Sequence, residues 1–237
     1  MEYTYDTMIF DDLKICQLKE GGFRFGCDSL ILAYFTKAKQ KSLIADVGSG
    51  SGIIASLIAK IYKSNVEAIE LQKEMYECLI QTIKLSNLED KIKPINADIR
   101  KIPKSTLYDG IVCNPPYRKE GTGKTAKDNI ANIARFSITM TMEDLVLFAK
   151  RNLKHGGRLY FSYDADMLSE ALYICKSNNL EPKRLMFLHK DIKSKAKLAF
   201  VECMLGGKSE IIIEPPLFQQ GENEITLQYN NIFKGLW

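Results

Sequence analysis

Short apolar runs alternate along the chain with segments whose apolar residues recur at helical spacing. This pattern predicts strands at residues 43–48, 66–71, 92–97, 108–113 and 158–163, and helices at 53–62, 73–85 and 142–153. We expect the last of these helices to stop at the glycine pair that follows His155, since glycine commonly ends helices. Alternating strands and helices are typical of a parallel sheet that is covered on both faces.

Two stretches depart from this alternation. Residues 184–188 and 198–205 predict two strands with no helix between them, which suits an antiparallel pair at one edge of the sheet. Residues 118–135 are polar and contain Gly121 and Gly123, so we expect a loop there that ends in a short helix.

The whole pattern predicts a single α/β domain. The chain has 237 residues, of which 46% are hydrophobic and 26% charged, as is usual for a globular protein. Its core is expected at residues 41–205, preceded by an extension at residues 1–40 and followed by a tail at residues 206–237. Within the extension, residues 29–35 form an apolar, helix-like run.

Composition excludes several classes of protein. No apolar run approaches the roughly 18 to 20 residues that a membrane-spanning helix needs, and the first residues lack the basic and apolar pattern of a secretory signal. A cytoplasmic location without a membrane partner is therefore expected. The net charge of +4 is compatible with a nucleic-acid partner but does not require one.

The cysteines and histidines do not indicate a metal site. The chain has six cysteines and two histidines, and no two cysteines have the Cys-x-x-Cys spacing of a zinc knuckle. We therefore expect no metal, and buried free thiols in a reducing compartment.

Residues 46–52, between the first predicted strand and its helix, have the composition of a ligand-binding turn. Glycine allows the backbone to bend sharply and to approach a ligand closely, and ligands of open α/β sheets bind beyond the carboxyl ends of the strands. These glycines alone would also suit a nicotinamide site. The residues assigned to the cofactor here are Asp46, Gly48, Gly50 and Gly52.

Two further acids indicate which ligand is bound. Glu70 ends the second strand, where a carboxylate can accept hydrogen bonds from ribose hydroxyls. Asp98, next to Ile99 after the third strand, can accept from an adenine amino group. The glycine spacing is Gly-x-Gly-x-Gly, whereas nicotinamide enzymes usually have Gly-x-Gly-x-x-Gly against a pyrophosphate. S-adenosylmethionine has no phosphate and carries a positive sulfonium and ammonium, so an acid beside backbone donors suits it better.

The tetrapeptide after the fourth strand is the candidate catalytic motif: Asn114, Pro115, Pro116 and Tyr117. Two prolines give a stiff turn, in which the Asn114 side chain and the Pro115 carbonyl can accept from one amino group. Tyr117 offers an aromatic face to a flat substrate. An amine conjugated to a ring is a poor nucleophile, and two acceptors on its hydrogens favour the pyramidal form that attacks a methyl group. The similar residues 214–217 lack the asparagine and the aromatic residue, and we interpret them as structural.

With these motifs, the chain resembles the class I methyltransferases that carry an Asn-Pro-Pro-Tyr motif. In particular it resembles the bacterial family that methylates N6 of the adenine next to the anticodon of a valine tRNA. The resemblance extends from residues 23–29 to residues 180–185. It implies a Rossmann-like, mostly parallel sheet of seven strands with an antiparallel last strand, S-adenosylmethionine as methyl donor, and tRNA as substrate. It also assigns to the cofactor site Arg24, Phe25, Gly26, Asp28 and Asn114.

The chain departs from that family in two places. Members often carry Ala-Arg-His-Glu where this chain has residues 134–137, with Phe136 and Ser137 in the last two positions. A basic segment after the fifth strand is replaced here by residues 162–165. These differences leave the cofactor motifs intact and concern the RNA target.

Other functions fit the same motifs. A release-factor methyltransferase would use Asn114 on a glutamine amide, although such enzymes usually have an N-terminal helical domain larger than forty residues. A DNA adenine target would call for a separate recognition domain, and a non-catalytic RNA-binding protein would be expected to lose Asn114 or Glu70. RNA N6-methylation is the leading hypothesis, and its candidate RNA contacts are Arg118, Lys119, Lys124, Lys127, Arg135, Lys190, Lys193, Lys195 and Lys197.

Overall fold

A computed structural model describes residues 2–8, 13–19, 25–104, 106–115, 140–222 and 224–236. The loop expected at residues 118–135 lies outside this part of the chain. The first half of the described chain contains β1 (Tyr3–Met8), β2 (Leu13–Leu18), α1 (Cys27–Thr36), β3 (Leu43–Val47), α2 (Ile53–Tyr62), β4 (Asn65–Glu70), α3 (Lys73–Leu85), β5 (Ile92–Asn96) and β6 (Tyr108–Cys113). The second half contains α4 (Met142–Asn152), β7 (Leu153–Asp164), a 3-10 turn (Ala165–Met167), α5 (Leu168–Ser177), β8 (Leu180–His189), β9 (Ala196–Leu205), β10 (Ile212–Ile213), β11 (Leu217–Phe218) and α6 (Leu227–Phe233).

The central sheet has the strand order β10-β8-β9-β7-β6-β3-β4-β5, and β11 pairs with the other end of β8. Neighbouring strands are parallel except at β9, which runs antiparallel to both β7 and β8. Seven of these strands are long, and the two-residue strands β10 and β11 extend the edge at β8. The expected Rossmann-like sheet with a reversed last long strand is confirmed.

The middle strand β3 shows how the sequence produces two covered faces. Alternate residues of a strand point to opposite sides of the sheet. Ile44 packs in a core with residues of α1 and α2, whereas Ala45 and Val47 pack in a second core with Phe148 of α4. All three are almost fully buried. Burial on both sides explains why this strand is an uninterrupted apolar run apart from Asp46.

The predicted helix stop at residues 155–157 is wrong. Helix α4 ends at Asn152 and β7 begins at the next residue. The pairing of β6 with β7 shifts register here, because Tyr108 is level with Leu153 while Gly110 is level with Arg158. Residues 154–157 therefore form a bulge, where Gly156 has a φ of +76°. The glycines mark an irregularity in a strand.

The N-terminal hairpin was not expected from the sequence. Strands β1 and β2 pair antiparallel, from Tyr3 with Leu18 to Met8 with Leu13. The hairpin packs on α3, since the Cys16 amide donates to Thr82 Oγ1 at 3.0 Å and the Lys14 amide donates to Ser86 Oγ at 3.1 Å. Helix α5 was also missed. Among the described residues, no helix is long and apolar enough to span a membrane.

Arg184 joins β8 to three other parts of the fold. The residue is only 8% exposed. Its Nε donates to Glu202 Oε2 on β9 at 2.8 Å, and its Nη1 donates to Glu214 Oε1 in the tail at 3.2 Å. Nη2 donates to the Phe35 carbonyl at the end of α1 at 2.5 Å, and the guanidinium lies 3.9 Å from the centre of the Phe35 ring. The buried guanidinium is tolerated because each of its three nitrogens donates to an acceptor.

We predict that Arg184→Ala lowers the free energy of unfolding by about 3–5 kcal/mol, because it leaves the Glu202 carboxylate poorly paired in a buried place. Urea denaturation measures this change. Lys154→Ala, which removes an exposed ion pair with Asp109, is the control and should cost less than about 1 kcal/mol. Equal losses in the two variants would contradict the role assigned to Arg184.

Candidate functional site

A cleft opens at the carboxyl edge of the parallel strands. It encloses about 1030 Å³ of space when its open mouth is included. Its walls come from the residues that follow β3, β4, β5 and β6, with further contributions from α1, α3 and Met140. Ligands of open α/β sheets bind at this edge, so its location agrees with the site expected from the sequence.

The structure brings most of the predicted cofactor-binding and catalytic residues to this cleft. Those on its wall are Phe25, Gly48, Gly50, Glu70, Asp98, Ile99, Asn114 and Pro115. Behind the wall lie Asp46 and Gly52, and Gly26 and Asp28 stand at the start of α1. Eight other predicted residues fall outside the described part of the chain: Arg24, Pro116, Tyr117, Arg118, Lys119, Lys124, Lys127 and Arg135.

The turn after β3 requires glycine. Gly48, Gly50 and Gly52 have φ values of +69°, +56° and +87°, which lie in the left-handed region that L side chains rarely adopt. A Cβ on Gly52 would also meet Leu79 Cδ1 at 2.5 Å. The Gly48 amide donates to the Ile69 carbonyl at 2.9 Å, which holds the turn against β4.

Asp46 is a buried acid beneath this turn. Its Oδ2 accepts from Ser49 Oγ at 2.7 Å and from the Ala55 amide at 3.0 Å. Oδ1 is buried and has no hydrogen-bond partner among the described residues. Burial raises the pKa of Asp46 to about 7, and the negative charge of Glu70 adds to the effect. A carboxyl group poised in this way would be stabilised in its charged form by a nearby cation.

Glu70 holds the turn from the side of β4. Its Oε2 accepts from the Gly50 amide at 2.8 Å, and its Oε1 accepts from the Gln72 amide at 2.8 Å. Burial raises the pKa of Glu70, and these hydrogen bonds oppose the rise. Because a carboxylate oxygen can accept more than one hydrogen bond, Glu70 can bind two ligand hydroxyls while it keeps the turn in place.

Asp98 has a partner that the sequence analysis missed. Its Oδ1 accepts from the Arg100 amide at 3.0 Å and from Arg100 Nε at 2.9 Å, and its Oδ2 accepts from Nη2 at 2.7 Å. These hydrogen bonds lower the pKa of Asp98, which is therefore charged at neutral pH. An adenine amino group at this position would have to share the carboxylate with Arg100.

Asn114 lines the cleft and is held between two elements. Its Nδ2 donates to Asp28 Oδ2 at 2.9 Å and to Ser29 Oγ at 3.1 Å, both on α1. Its Oδ1 accepts from Ser162 Oγ of β7 at 2.5 Å. Ser29 and Ser162 were not among the predicted site residues. The sequence gives no sign of either contact, because Ser29 and Ser162 lie 85 and 48 positions from Asn114 along the chain.

The predicted lysines lie on the same side of the sheet. Strand β8 runs in the direction of β7, so its end at His189 is at the carboxyl edge. The turn that follows exposes Lys190, Lys193 and Lys195, and Lys197 is exposed near the start of β9. The tail is tied to this turn, because the Gln220 amide donates to the Lys190 carbonyl at 2.8 Å.

Metal ligands do not gather in the described residues, where no group of three His, Cys, Asp or Glu side chains could hold an ion. The described cysteines are free thiols, and five of the six are buried. The cleft presents acids, backbone amides and the amide side chains of Gln72 and Asn114. This set of groups can bind a cationic ligand with hydroxyls and can position an amine.

Comparisons with solved structures agree with the fold. The chain superposes on a predicted O-methyltransferase of Agrobacterium tumefaciens with a TM-score of 0.70 and 18% identity, covering 88% of this chain and 96% of the other. It superposes on TYW2 of M. jannaschii, solved in complex with AdoMet, with a TM-score of 0.59 and 16% identity, covering 85% of each chain. At these identities the likeness is one of fold.

Sequence comparisons give the family. The chain is 30% identical to a tRNA1(Val) (adenine(37)-N6)-methyltransferase of Tolumonas auensis, a match that spans 57% of each chain and so less than two thirds of that relative. A protein of the same name from Christiangramia forsetii is 22% identical over 90% of each chain. The family model for the methyltransferase small domain matches residues 26–173. This match covers more than half of the chain, and the protein therefore belongs to the methyltransferase small domain family.

Proposed function

We propose that this protein transfers a methyl group from S-adenosylmethionine to N6 of an adenine in the anticodon loop of a tRNA. The observation that carries the proposal is the position of Asn114 on the wall of a cleft built from a glycine turn and two buried acids. The names of the two relatives support tRNA as the substrate. The chain acts as one domain, with residues 1–40 completing the cofactor site of the core at 41–205 and with 206–237 as its tail.

The residues of the cleft suit the parts of the methyl donor. Glu70 accepts from the ribose hydroxyls, and Asp98 and Ile99 contact the adenine. The glycine turn brings backbone amides toward the methionine carboxylate of the ligand. Asp46 lies beneath the turn, and its Oδ1, which has no hydrogen-bond partner among the described residues, faces the positively charged end of the ligand. When bound, S-adenosylmethionine supplies an electrophilic methyl group on a sulfonium.

Asn114 and the carbonyl of Pro115 act on the acceptor amine. The lone pair of an exocyclic adenine amine is delocalised into the ring. Hydrogen bonds from its two N–H groups to these acceptors favour the pyramidal nitrogen, whose lone pair is directed at the methyl group. Tyr117 supplies the face on which the base stacks. Most of the catalysis is then positioning, and no strong base has to act before the attack.

An RNA substrate also suits the surface beside the cleft. Exposed lysines occupy the turn between β8 and β9 at the carboxyl edge. Phosphates attract such side chains, and a base in a loop costs less to extrude than a paired one. Protein glutamine remains the alternative acceptor, because its amide is planar and would make the same contacts with Asn114.

We predict that affinity for S-adenosylmethionine rises as pH increases from 6 to 7. Asp46 has a raised pKa of about 7, so much of it is protonated in the free protein over this range. The cationic ligand favours the charged form, and binding has to release that proton. The dissociation constant should fall roughly fivefold between pH 6 and pH 7, a range that lies below the pKa of the ligand's own amine.

Calorimetry in buffers of different ionisation enthalpy measures both the affinity and the released proton. Asp46→Asn should remove the pH dependence. Asp109→Asn is the matched control, since that carboxyl lies at the start of β6 and its pKa is lowered. Unchanged pH dependence in Asp46→Asn would show that another group titrates.

We predict that Asn114→Ala loses methyl transfer by about 100-fold or more while its affinity for S-adenosylmethionine stays within about threefold, because Asn114 acts on the amine. Labelled methyl transfer to bulk tRNA and calorimetry give the two values. Asn178→Ala removes an asparagine that bonds the Ile174 carbonyl outside the cleft, and should keep full activity. Wild-type turnover in Asn114→Ala would refute the catalytic role.

We predict that replacing Lys193, Lys195 and Lys197 together with glutamine raises the KM for tRNA and flattens its salt dependence. The slope of log affinity against log salt should fall by up to about 3, near one unit for each lost phosphate contact. Glutamine at Lys39, Lys41 and Lys63 is the control, since these exposed lysines lie near the amino ends of β3 and β4. An equal effect of both triple variants would indicate general attraction to a basic protein.

A further inference from the structure

We propose that Asp28 and Ser162 are positioning residues, which together fix the end of the Asn114 amide that faces the acceptor amine. The proposal rests on the proposed function, in which the amide oxygen of Asn114 accepts from that amine. It assigns Asp28 to the acceptor side of the reaction, whereas the family resemblance assigns this residue to the cofactor.

The side chain of an asparagine has two chemically opposite ends. Its oxygen only accepts hydrogen bonds and its nitrogen only donates them, yet rotation by 180° about the last side-chain bond exchanges the two with little change in shape. In one orientation Asn114 presents an acceptor to an amine. In the other it presents a donor, and the amine loses one of its two acceptors. Catalysis by Asn114 therefore requires that its surroundings select one orientation.

Asp28 selects the orientation from one side. A carboxylate only accepts hydrogen bonds, so the group of Asn114 that faces it has to be the nitrogen. Nδ2 lies 2.9 Å from Asp28 Oδ2 and 3.1 Å from Ser29 Oγ, which gives each of its two hydrogens an acceptor. Rotating the amide would place two oxygens against each other at the start of α1.

Ser162 holds the amide from the other side. Because a hydroxyl can either donate or accept, Ser162 anchors the orientation that Asp28 selects and does not select it alone. It lies on β7, next to the strand that carries Asn114, and its side chain is fully buried. Its hydroxyl donates to Asn114 Oδ1 at 2.5 Å. A carbonyl oxygen can accept two hydrogen bonds, so this contact is compatible with a second one from the acceptor amine.

Gly26 allows Asp28 to take this position. Its φ of −110° is open to any residue, so backbone freedom does not explain a glycine here. A Cβ at Gly26 would instead lie 2.5 Å from Asp28 Oδ1. The end of the tail supports the same region, since Gln219 Nε2 donates to Cys27 Sγ at 3.8 Å and to Tyr229 Oη at 3.1 Å. The start of α1 is thus built to hold the Asp28 carboxylate against Asn114.

Steady-state kinetics on the full chain separate the two assignments of Asp28. Asp28→Ala should lower kcat at saturating S-adenosylmethionine and bulk tRNA by about tenfold or more, with the dissociation constant of S-adenosylmethionine changed less than about twofold. Asp28→Asn can face Asn114 with either its oxygen or its nitrogen, so it no longer selects one orientation and should recover only part of the lost kcat. A raised dissociation constant with unchanged kcat in Asp28→Ala would overturn the proposal in favour of a cofactor contact.

Ser162→Ala tests the second contact and should lower kcat by about threefold to tenfold with unchanged affinity for S-adenosylmethionine. Ser64→Ala is its matched control. Ser64 is also fully buried, and its hydroxyl donates to the Lys39 carbonyl at 2.9 Å at the far, amino edge of the sheet. Equal losses of kcat in the two serine variants would show that Ser162 acts only through stability.

A readout that needs no methyl acceptor keeps this proposal separate from the proposed function. In protein labelled with ¹⁵N-asparagine, the side-chain NH₂ signal that disappears in Asn114→Ala belongs to Asn114. This signal should exchange slowly with water in the wild type and rapidly in Asp28→Ala. Slow exchange in Asp28→Ala would overturn the proposal even if tRNA is a substrate. If wild-type protein methylates no tRNA, the proposed function fails and the exchange result still decides the orientation of the amide.

Discussion

The site depends on the register of three parallel strands. Val47 of β3 is level with Ile69 of β4 and with Cys113 of β6. The next residues are therefore at the same height: Gly48 and Asn114 directly follow β3 and β6, and Glu70 is the last residue of β4. A shift of one residue in either pairing would turn Glu70 or Asn114 to the opposite face of the sheet. The glycine turn, the proposed ribose acceptor Glu70 and the proposed catalytic amide meet because the hydrogen-bond ladder aligns them.

Buried acids under the cleft oppose the stability that the rest of the sheet provides. Asp46 and Glu70 have raised pKa values because burial disfavours their charged forms. A carboxyl group whose pKa is raised in the folded state contributes stability that is present at low pH and is lost as pH rises toward that pKa. For Asp46 this loss extends from about pH 4 to about 7. Arg184 shows the opposite arrangement, because its buried charge has partners on every side. We infer that the negative charge of Asp46 and Glu70 is available to a cationic ligand in the cleft.

Much of the fold follows from local pattern, and the rest from contacts between distant residues. Helices α2 and α3 have the predicted bounds because their apolar spacing is regular and their ends coincide with changes in pattern. The glycines at residues 156–157 were wrongly predicted to end a helix. They lie in a bulge of β7, and bulges and helix ends both favour glycine because it adopts positive φ angles. The hairpin β1–β2 is held by bonds to α3, about 70 residues away, which no local pattern reveals.

The cleft itself was predictable from the residue types that follow each strand, whereas the partners of those residues were not. Arg100 on Asp98, and Ser162 on Asn114, became visible only in three dimensions. The central claim is that the amine positioned by Asn114 is N6 of a tRNA adenine. Mass spectrometry of nucleosides from tRNA incubated with the protein and S-adenosylmethionine tests it most directly. N6-methyladenosine should appear in that tRNA and be absent when the protein is left out. Unmodified tRNA, together with methylation of a glutamine in a release-factor peptide, would contradict the account.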